Sequence, residues 1–509
     1  MSVLRPFFPG PAPLRVVCAL TAVALAASVV TTSARAASAE AATPTAPAAN
    51  WQAPLPHGGT LASLTQWWQQ FDDPLLASLV AAAQQASPDI ASAGSRLAQA
   101  RANGVAAGAA LLPSVDASAQ VLRTRADLAS PIVSTGSAGL SASWEIDLFG
   151  AGRAARNAAQ ARADGAHADW HDARVAVAAE TANSYLDLRA CEAQAASEQQ
   201  DAQSRAATAR LSALLTSAGF ESASAQSLME AAAASASAQA DARQTQCAQS
   251  IKALAVLTAL DEAELRQRLQ ARTGVLPKPA QWQVNTVPAA LLQQRPDLYS
   301  SARALEAAAA DVQGSEAQRW PRISLAGSLS RAQTRFEGAS LTGNLWTVGP
   351  LQVSVPLFDA GRRSANIDAA RAAYEAATLT YQHQLRKAVR EVEDALLRLD
   401  SGTRRQADLQ RAATGFERVM QATRSRQMAG LASALDAEDA RRNWLQAQRA
   451  HLDAQREQAA AWIALYRALG GGWSAETSLN ASPNVSPNVS PNVSAPPAQL
   501  NTASTGAAL

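Results

Sequence analysis

A chain of 509 residues carrying 44 basic and 42 acidic side chains has a formal net charge of +2, which offers no electrostatic attraction to nucleic acid or to acidic substrates. That length allows two or three ordinary domains or one extended body. Beyond Ala36 no stretch is long and apolar enough to cross a bilayer as a helix, so any membrane passage falls to strands, and only a closed barrel satisfies strand backbone in lipid.

In chain order, Arg5 and Arg15 lead into an apolar run from Leu14 to Val30, and Ala34-Arg35-Ala36 supplies a small-x-small cleavage site. Residues 1–36 therefore read as a secretory signal peptide and 37–60 as a linker. Cys18 is not expected to be lipidated, because Val17 precedes it and the apolar core follows it instead of leading to it.

Residues 61–280 and 281–470 then repeat one order of signals: two short alternating segments, a very long alanine-rich helix, a glycine-centred break and a second long helix. Ala-Gly-Arg at 151–153 recurs at 360–362, an offset of 209, whereas Gly219 and Gly430, Ser222 and Ser433, and Leu254 and Leu465 match at an offset of 211. The difference reads as a two-residue slip between strand ends and helical hairpins.

Four segments alternate with a period of two. Leu140, Ala142, Trp144, Ile146 and Leu148 interleave with polar residues, as do Ile323, Leu325, Gly327 and Leu329. Val353, Val355 and Leu357 continue the pattern, and Val115–Val121 shows it weakly. The Ser/Gly/Thr-rich stretches 123–138 and 332–345 between them are expected to be exposed loops. One greasy and one polar face suit a membrane barrel with a wet lumen, although a soluble sandwich edge would alternate too. Four strands cannot close a barrel, since the smallest has about eight. Either the chain oligomerises or its strands lie outside a membrane.

The helical stretches favour oligomerisation. Residues 153–217 hold no proline and a single glycine, Gly165, which at about 1.5 Å per residue gives a rod of about 95 Å. Residues 361–429 repeat the feature, broken at most near Gly402 and Gly415. Reversal at Gly219 and Gly430 makes two antiparallel hairpins. Cys191 and Cys247 each lie 28 residues from Gly219, so such a hairpin sets them side by side. An oxidising compartment then favours a disulfide, with two buried thiols as the alternative.

Other motifs have plain local readings. Asp73-Pro74 and Arg295-Pro296-Asp297 each combine a capping acid with proline at a helix start. Gly150-Ala151-Gly152 and Gly361 read as tight strand-to-helix turns, because the other glycines of a dinucleotide fingerprint are missing and no lysine follows a glycine. His167 and His171 share a helix face at i, i+4, yet no acid or cysteine at metal-site spacing accompanies them, so a solvated face is expected and no metal. Residues 471–509, with three copies of Ser-Pro-Asn-Val, form a tail too polar to bury a core.

Trp67-Trp68-Gln69-Gln70-Phe71-Asp72-Asp73-Pro74-Leu75, Leu291-Leu292-Gln293-Gln294-Arg295-Pro296-Asp297-Leu298, Trp320-Pro321-Arg322-Ile323-Ser324-Leu325 and Val355-Pro356-Leu357-Phe358-Asp359-Ala360-Gly361-Arg362-Arg363 together resemble the motifs of the TolC-like outer-membrane factor family. The likeness is to its NodT-like branch, which serves resistance-nodulation-division (RND) efflux, and covers about residues 60–470. It implies an α+β membrane protein: a homotrimer with a 12-stranded β-barrel, four strands per protomer, in outer-membrane lipid and a long antiparallel α-helical barrel crossing the periplasm. The implied function is passive conduction of drugs or small metabolites, with an inner-membrane RND pump and a periplasmic adaptor as partners, no cofactor, and no enzymatic activity. An exit duct for ABC-driven type I protein secretion is the alternative within the family, and a soluble periplasmic coiled-coil adaptor is the alternative outside it.

By the same resemblance, the hairpin tips Gly219-Phe220 and Gly430-Leu431 are adaptor-docking points. Asp436 and Asp439 match the family's aspartates at the periplasmic aperture, where three copies would make a ring of six carboxylates. Like-charge repulsion in such a ring should raise some of their pKa values. Acids complementing a helix dipole are the local alternative, against which the corresponding Ala225 and Leu228 of the first repeat speak. Branch members usually carry a lipidated N-terminal cysteine, which this sequence lacks, and Gln427 stands where some relatives place a tyrosine that helps lock the closed aperture.

Overall fold

The computed structural model describes residues 67–68, 71–125, 131–277 and 295–473. The expected signal peptide, Cys18, the linker and the tail from residue 474 lie outside the described residues.

Asp73 starts the first helix, α1 (Pro74–Ala86), by accepting hydrogen bonds from the Leu75 and Leu76 amides at 3.1 and 3.4 Å. Ser87 ends it and caps α2 (Pro88–Ala109) through the Ile90 amide. In the second half one helix, α6 (Pro296–Ala317), matches α2 in its length of 22 residues and its opening Pro-Asp. Here the expected cap is absent, because Arg295 occupies the capping position without a side-chain cap bond. Instead buried Arg295 grips Asp297 (2.9 and 2.7 Å), Glu391 (2.6 Å) and the Ala468 carbonyl (2.9 Å).

Strands β1 (Ser114–Thr124), β2 (Val133–Ile146), β3 (Arg322–Phe336) and β4 (Ala339–Ser354) form one antiparallel sheet in the order β1-β2-β3-β4. The stretch 332–345 is not a loop but largely strand, and of the described residues in 123–138, 123–124 and 133–138 are strand as well. β3 and β4 pair through Phe336 and Ala339, leaving a turn of Glu337 (φ +47°) and Gly338 (φ +83°). Positive φ at both central residues is the twist-matched two-residue hairpin geometry. Small polar side chains are as compatible with a strand bathed by water as with a loop, so composition misled there. Edge strands β1 and β4 present one unpaired side each within the protomer.

β2 leads into α3 (Ala151–Ser217) and β4 into α7 (Arg362–Met428), each of 67 residues, about 100 Å at helical rise. Gly150 and Gly361 both begin their helices at φ +86°, a left-handed conformation that disfavours residues with a Cβ. Gly361 thus corresponds to Gly150, and the helices share the offset of 211 at both ends. The expected slip between strand ends and helices is three residues and not two, because the linker 355–361 is longer than 147–150 by three residues, and the Ala-Gly-Arg match at an offset of 209 is out of structural register. Gly402 and Gly415 leave α7 unbroken.

α3 reverses into α4 (Ala223–Thr258), and α7 into α8 (Ala434–Ala468). The four rods lie side by side in the order α4, α3, α8, α7, with exposed Val256 and Leu228 on one outer rod and Leu379 and Val419 on the other. Cys191 and Cys247 are joined by a disulfide with their Cα atoms 5.6 Å apart.

The main core sits where α1, α3, α4, α7 and α8 meet and gathers Phe71, Leu76, Tyr185, Leu186, Leu254, Leu396 and Ile463. A short α5 (Glu262–Leu269) closes one side with Leu265. Among the described residues no helix is long and apolar enough to cross a membrane. Trp473 is buried, so the folded body reaches slightly past residue 471, where the tail was expected to begin.

Candidate functional site

The sheet sorts its side chains by register. Ala117, Leu140, Leu329 and Trp346 form one cross-strand row, and Trp144, Leu325 and Leu351 another, all on one face. On the opposite face lie Asp116, Ser141 and Ser328 in one row and Glu145 with Ser324 in another. Hydroxyls pair across the strands there, Ser114 with Ser143 at 2.9 Å and Ser328 with Thr347 at 2.8 Å. Leu329, Trp346 and Leu351 remain more than half exposed in the protomer. One face thus suits lipid and the other a water-filled lumen.

At the far end of the rods, both hairpins reverse by one device. Gly219 and Gly430 adopt φ of +79° and +71°, and the amides of Phe220 and Leu431 reach back to the Leu215 and Arg426 carbonyls at 2.9 and 2.8 Å. This is the Schellman closure, which satisfies the last carbonyls of a helix. It leaves Phe220 83% and Leu431 70% exposed at the tips, flanked by exposed Leu214 and Met428. Apolar side chains are thus gathered in the open at the end of the rods.

Asp436 lies just past the second tip, half a helical turn into α8. It forms a capping box: its carboxylate accepts from the Ser433 amide (3.0 Å) and hydroxyl (2.7 Å), while the Ser433 hydroxyl accepts from the Asp436 amide (3.1 Å). The bonds from Ser433 hold its carboxyl below the usual carboxylate range. Asp439 pairs with Arg442 at 2.7 Å. In the first repeat Ser222 caps the Ala225 amide with no acid in attendance. Within one protomer the local role is therefore present for Asp436, and no like-charge repulsion raises its pKa.

The wall between the hairpins is a polar seam that the sequence reading missed. α3 and α8 run antiparallel and pair Asp187 with Arg456, Gln194 with Asp453 (2.8 Å), Glu198 with Arg449 (3.2 Å), Asp201 with Arg441 (2.9 Å) and Arg205 with Glu438 (3.7 Å). Asp187, Gln194 and Asp201 recur every seven residues. A heptad of polar residues in an alanine-rich helix was the available signal.

His167 and His171 do not form the expected solvated face. They are partly buried in an aromatic cluster, with His171 4.8 Å from Trp170 and 6.3 Å from Trp473 between ring centres. Burial, aided by His167 and Arg174, lowers the His171 pKa to about 4. Among the described residues no group of three or more His, Cys, Asp or Glu is placed to hold a metal ion.

An open four-stranded sheet with one lipid-suited face, continued by twin hairpins of rods about 100 Å long, is also what comparison with known proteins finds. The family model for outer membrane efflux proteins matches residues 79–260 and 287–471. The chain belongs to the outer membrane efflux protein family. It is 29% identical over 446 residues to the pyoverdine export outer membrane protein OpmQ of Pseudomonas putida, covering 85% of this chain and 93% of that one. It is 27% identical to nodulation protein T of Rhizobium leguminosarum bv. viciae, covering 81% of this chain and 85% of the relative. Among solved structures it resembles the outer-membrane channel OprN with a TM-score of 0.72 and 27% identity, over 83% of this chain and 98% of that channel.

This efflux protein is accordingly an outer-membrane exit duct and not an enzyme. Its strands contribute to a trimeric β-barrel in the membrane, and its long helices contribute to an α-helical barrel that extends into the periplasm.

Proposed function

We propose that three copies of this chain close a 12-stranded barrel and conduct drugs or small metabolites passively to the exterior, as the outer-membrane part of a tripartite pump powered by an inner-membrane RND transporter. The observation that carries the reading is the four-stranded sheet itself. Its edges β1 and β4 are unpaired within the protomer, and backbone in lipid must be paired. Pairing β4 of one copy with β1 of the next satisfies both edges and, at three copies, stays within the known range of barrel sizes. The same rotation sets exposed α7 beside exposed α4 and closes a wall of twelve rods.

In this reading the apolar tips at Gly219-Phe220 and Gly430-Leu431 receive the helices of a periplasmic adaptor. Asp436 and Asp439, brought together from three copies, ring the periplasmic aperture with six carboxylates that attract cations. The hydrogen bonds from Ser433 favour the charged form of Asp436, and the pairs with Ser433 and Arg442 fix both side chains in place.

The test is a strain lacking the protein, complemented with wild type or with F220D/L431D. The tip variant is expected to form outer-membrane trimers that conduct in planar bilayers, yet to leave the strain drug-sensitive. Normal export by that variant would overturn tip docking, and a monomer in the inserted wild-type sample would overturn the duct. Replacing both aspartates by Ala is expected to weaken cation block of the channel. Unchanged currents would remove the ring.

A further inference from the structure

We infer that Arg123, Arg331 and Arg335 form an exterior girdle that binds the phosphates of lipopolysaccharide headgroups in the outer leaflet of the outer membrane. The inference rests on the barrel reading above and adds a lipid-binding site to it.

Orientation follows from connectivity. Helices join the sheet at Ser114, Ile146, Arg322 and Ser354, whereas the β1–β2 and β3–β4 connections lie at the other end. Because the helices extend into the periplasm, the connections face the exterior. Along β3 the lipid-suited face runs Ile323, Leu325, Gly327, Leu329 and then, with the alternation unbroken, Arg331, Gln333 and Arg335. The apolar band thus stops between Leu329 and Arg331.

Two further observations place the membrane boundary there. Trp346 lies in the Leu329 row and is 73% exposed, at the height where an aromatic girdle sits. At the helical end Phe149 and Trp320 stack 5.4 Å apart and are exposed as well. From Trp320 to Leu329 the chain rises about 30 Å, or about 23 Å along the membrane normal at a tilt of about 40°, close to the ~25 Å apolar band of outer-membrane barrels. Second, the pattern inverts beyond this line: Leu122, Phe336, Leu341 and Leu345 lie on the lumen-facing side, opposite to the apolar face below. An outward face that turns polar while the inward face turns apolar has left the hydrocarbon.

The arginines sit where that change occurs. Arg123, Ser134, Arg335 and Ser340 form one row, which puts the two guanidinium stems two strands apart, about 10 Å. Arg331 lies four residues along the same face, about 13 Å closer to the apolar band. All three are exposed, and among the described residues none forms an ion pair. Glu337, in the turn beyond them, is the acid of this hairpin. Guanidinium groups are suited to bidentate contact with phosphate, and their height matches headgroups lying above acyl chains that cover Leu140, Leu329 and Trp346.

The test uses the full-length protein purified in detergent, with bisphosphorylated lipid A as probe and the same lipid after enzymatic dephosphorylation as comparison, bound lipid being counted by native mass spectrometry. At about fivefold per arginine near an anionic headgroup, the wild type should prefer the phosphorylated lipid at least tenfold. R123Q/R331Q/R335Q should reduce that preference below threefold, and the corresponding triple Lys variant should retain most of it. Equal retention of both lipids by the wild type, a result needing no variant to fold, would overturn the inference. So would an unchanged preference in the Gln variant, or displacement of the lipid by millimolar inorganic phosphate. Wild-type protein that conducts in planar bilayers but does not discriminate between the lipids sinks this inference alone, whereas protein that forms no channel sinks the barrel.

Discussion

Replacing Arg189 by Met should destabilise the folded protein by about 3 kcal/mol, the lower part of the ~3–5 kcal/mol range for removing one side of a buried ion pair. The Arg189 side chain is 0% exposed and its partner Glu192 only 11%. Its Nη1 donates to Glu192 at 2.8 Å and to the Leu269 carbonyl at 3.0 Å, and its Nε donates to the Tyr185 hydroxyl at 3.0 Å. Tyr185 in turn donates to buried Asp73 at 2.7 Å. This network therefore fastens the start of α1, the middle of α3 and the end of α5 together. Methionine fills much of the volume, so the cavity contribution is small and the loss lies in the orphaned groups. Glu192 keeps the Gly274 amide at 2.8 Å but loses its countercharge. The lower value is chosen because Nη2 of Arg189 has no hydrogen-bond partner even in the native protein, so the network is not perfectly satisfied to begin with. Guanidinium denaturation followed by far-UV circular dichroism would measure the change. R189M/E192Q, which removes the stranded charge, should recover at least about 1 kcal/mol of it. A loss under about 1 kcal/mol in R189M, with no recovery in the double variant, would refute the reasoning that this arginine is held for its charge and not merely for its bulk.

Two further outcomes are expected. C191S/C247S removes a crosslink between residues 56 apart in sequence, a chain-entropy loss of about 4 kcal/mol on the standard model; wild type treated with reductant should shift to the same denaturation midpoint, and an unshifted midpoint would show the bridge to be energetically idle. His171 is held neutral down to about pH 4 from an ordinary value of 6.5, so the unfolded chain binds the extra proton. Stability should fall as pH drops from 6.5 towards 4, by on the order of 2 kcal/mol, and H171F should flatten that slope in denaturation curves taken across the range.

Much of the architecture was legible because its causes are local. Alternation along Leu140–Ile146 and Ile323–Leu329 reports a two-faced strand, and uninterrupted helix formers between Gly150 and Gly219 leave a rod no other course. Glycine at positions that need positive φ marks both hairpin tips and both strand-to-helix turns. The placing of Cys191 beside Cys247 needed only that the hairpin fold at Gly219. Strand ends were less legible: Ser, Thr and Gly between 332 and 345 are loop-like in composition, but the strands there leave the bilayer and need no greasy face.

For the site, the chain alone marked the two glycine-centred tips, whereas the roles proposed for those tips and for Asp436 and Asp439 came from the family resemblance. Only the tertiary structure decided which groups meet. Arg189 reaches the Leu269 carbonyl 80 residues away, Arg295 the Ala468 carbonyl 173 away, and Arg441 reaches Asp201 across 240. His171 looked solvent-facing until Trp473, some 300 residues later in sequence, packed beside it. Periodicity and turn chemistry act within a few residues and can be read in order along the chain. Burial and ion pairing depend on segments brought together by folding, and the spacing of one element carries no record of its distant partner.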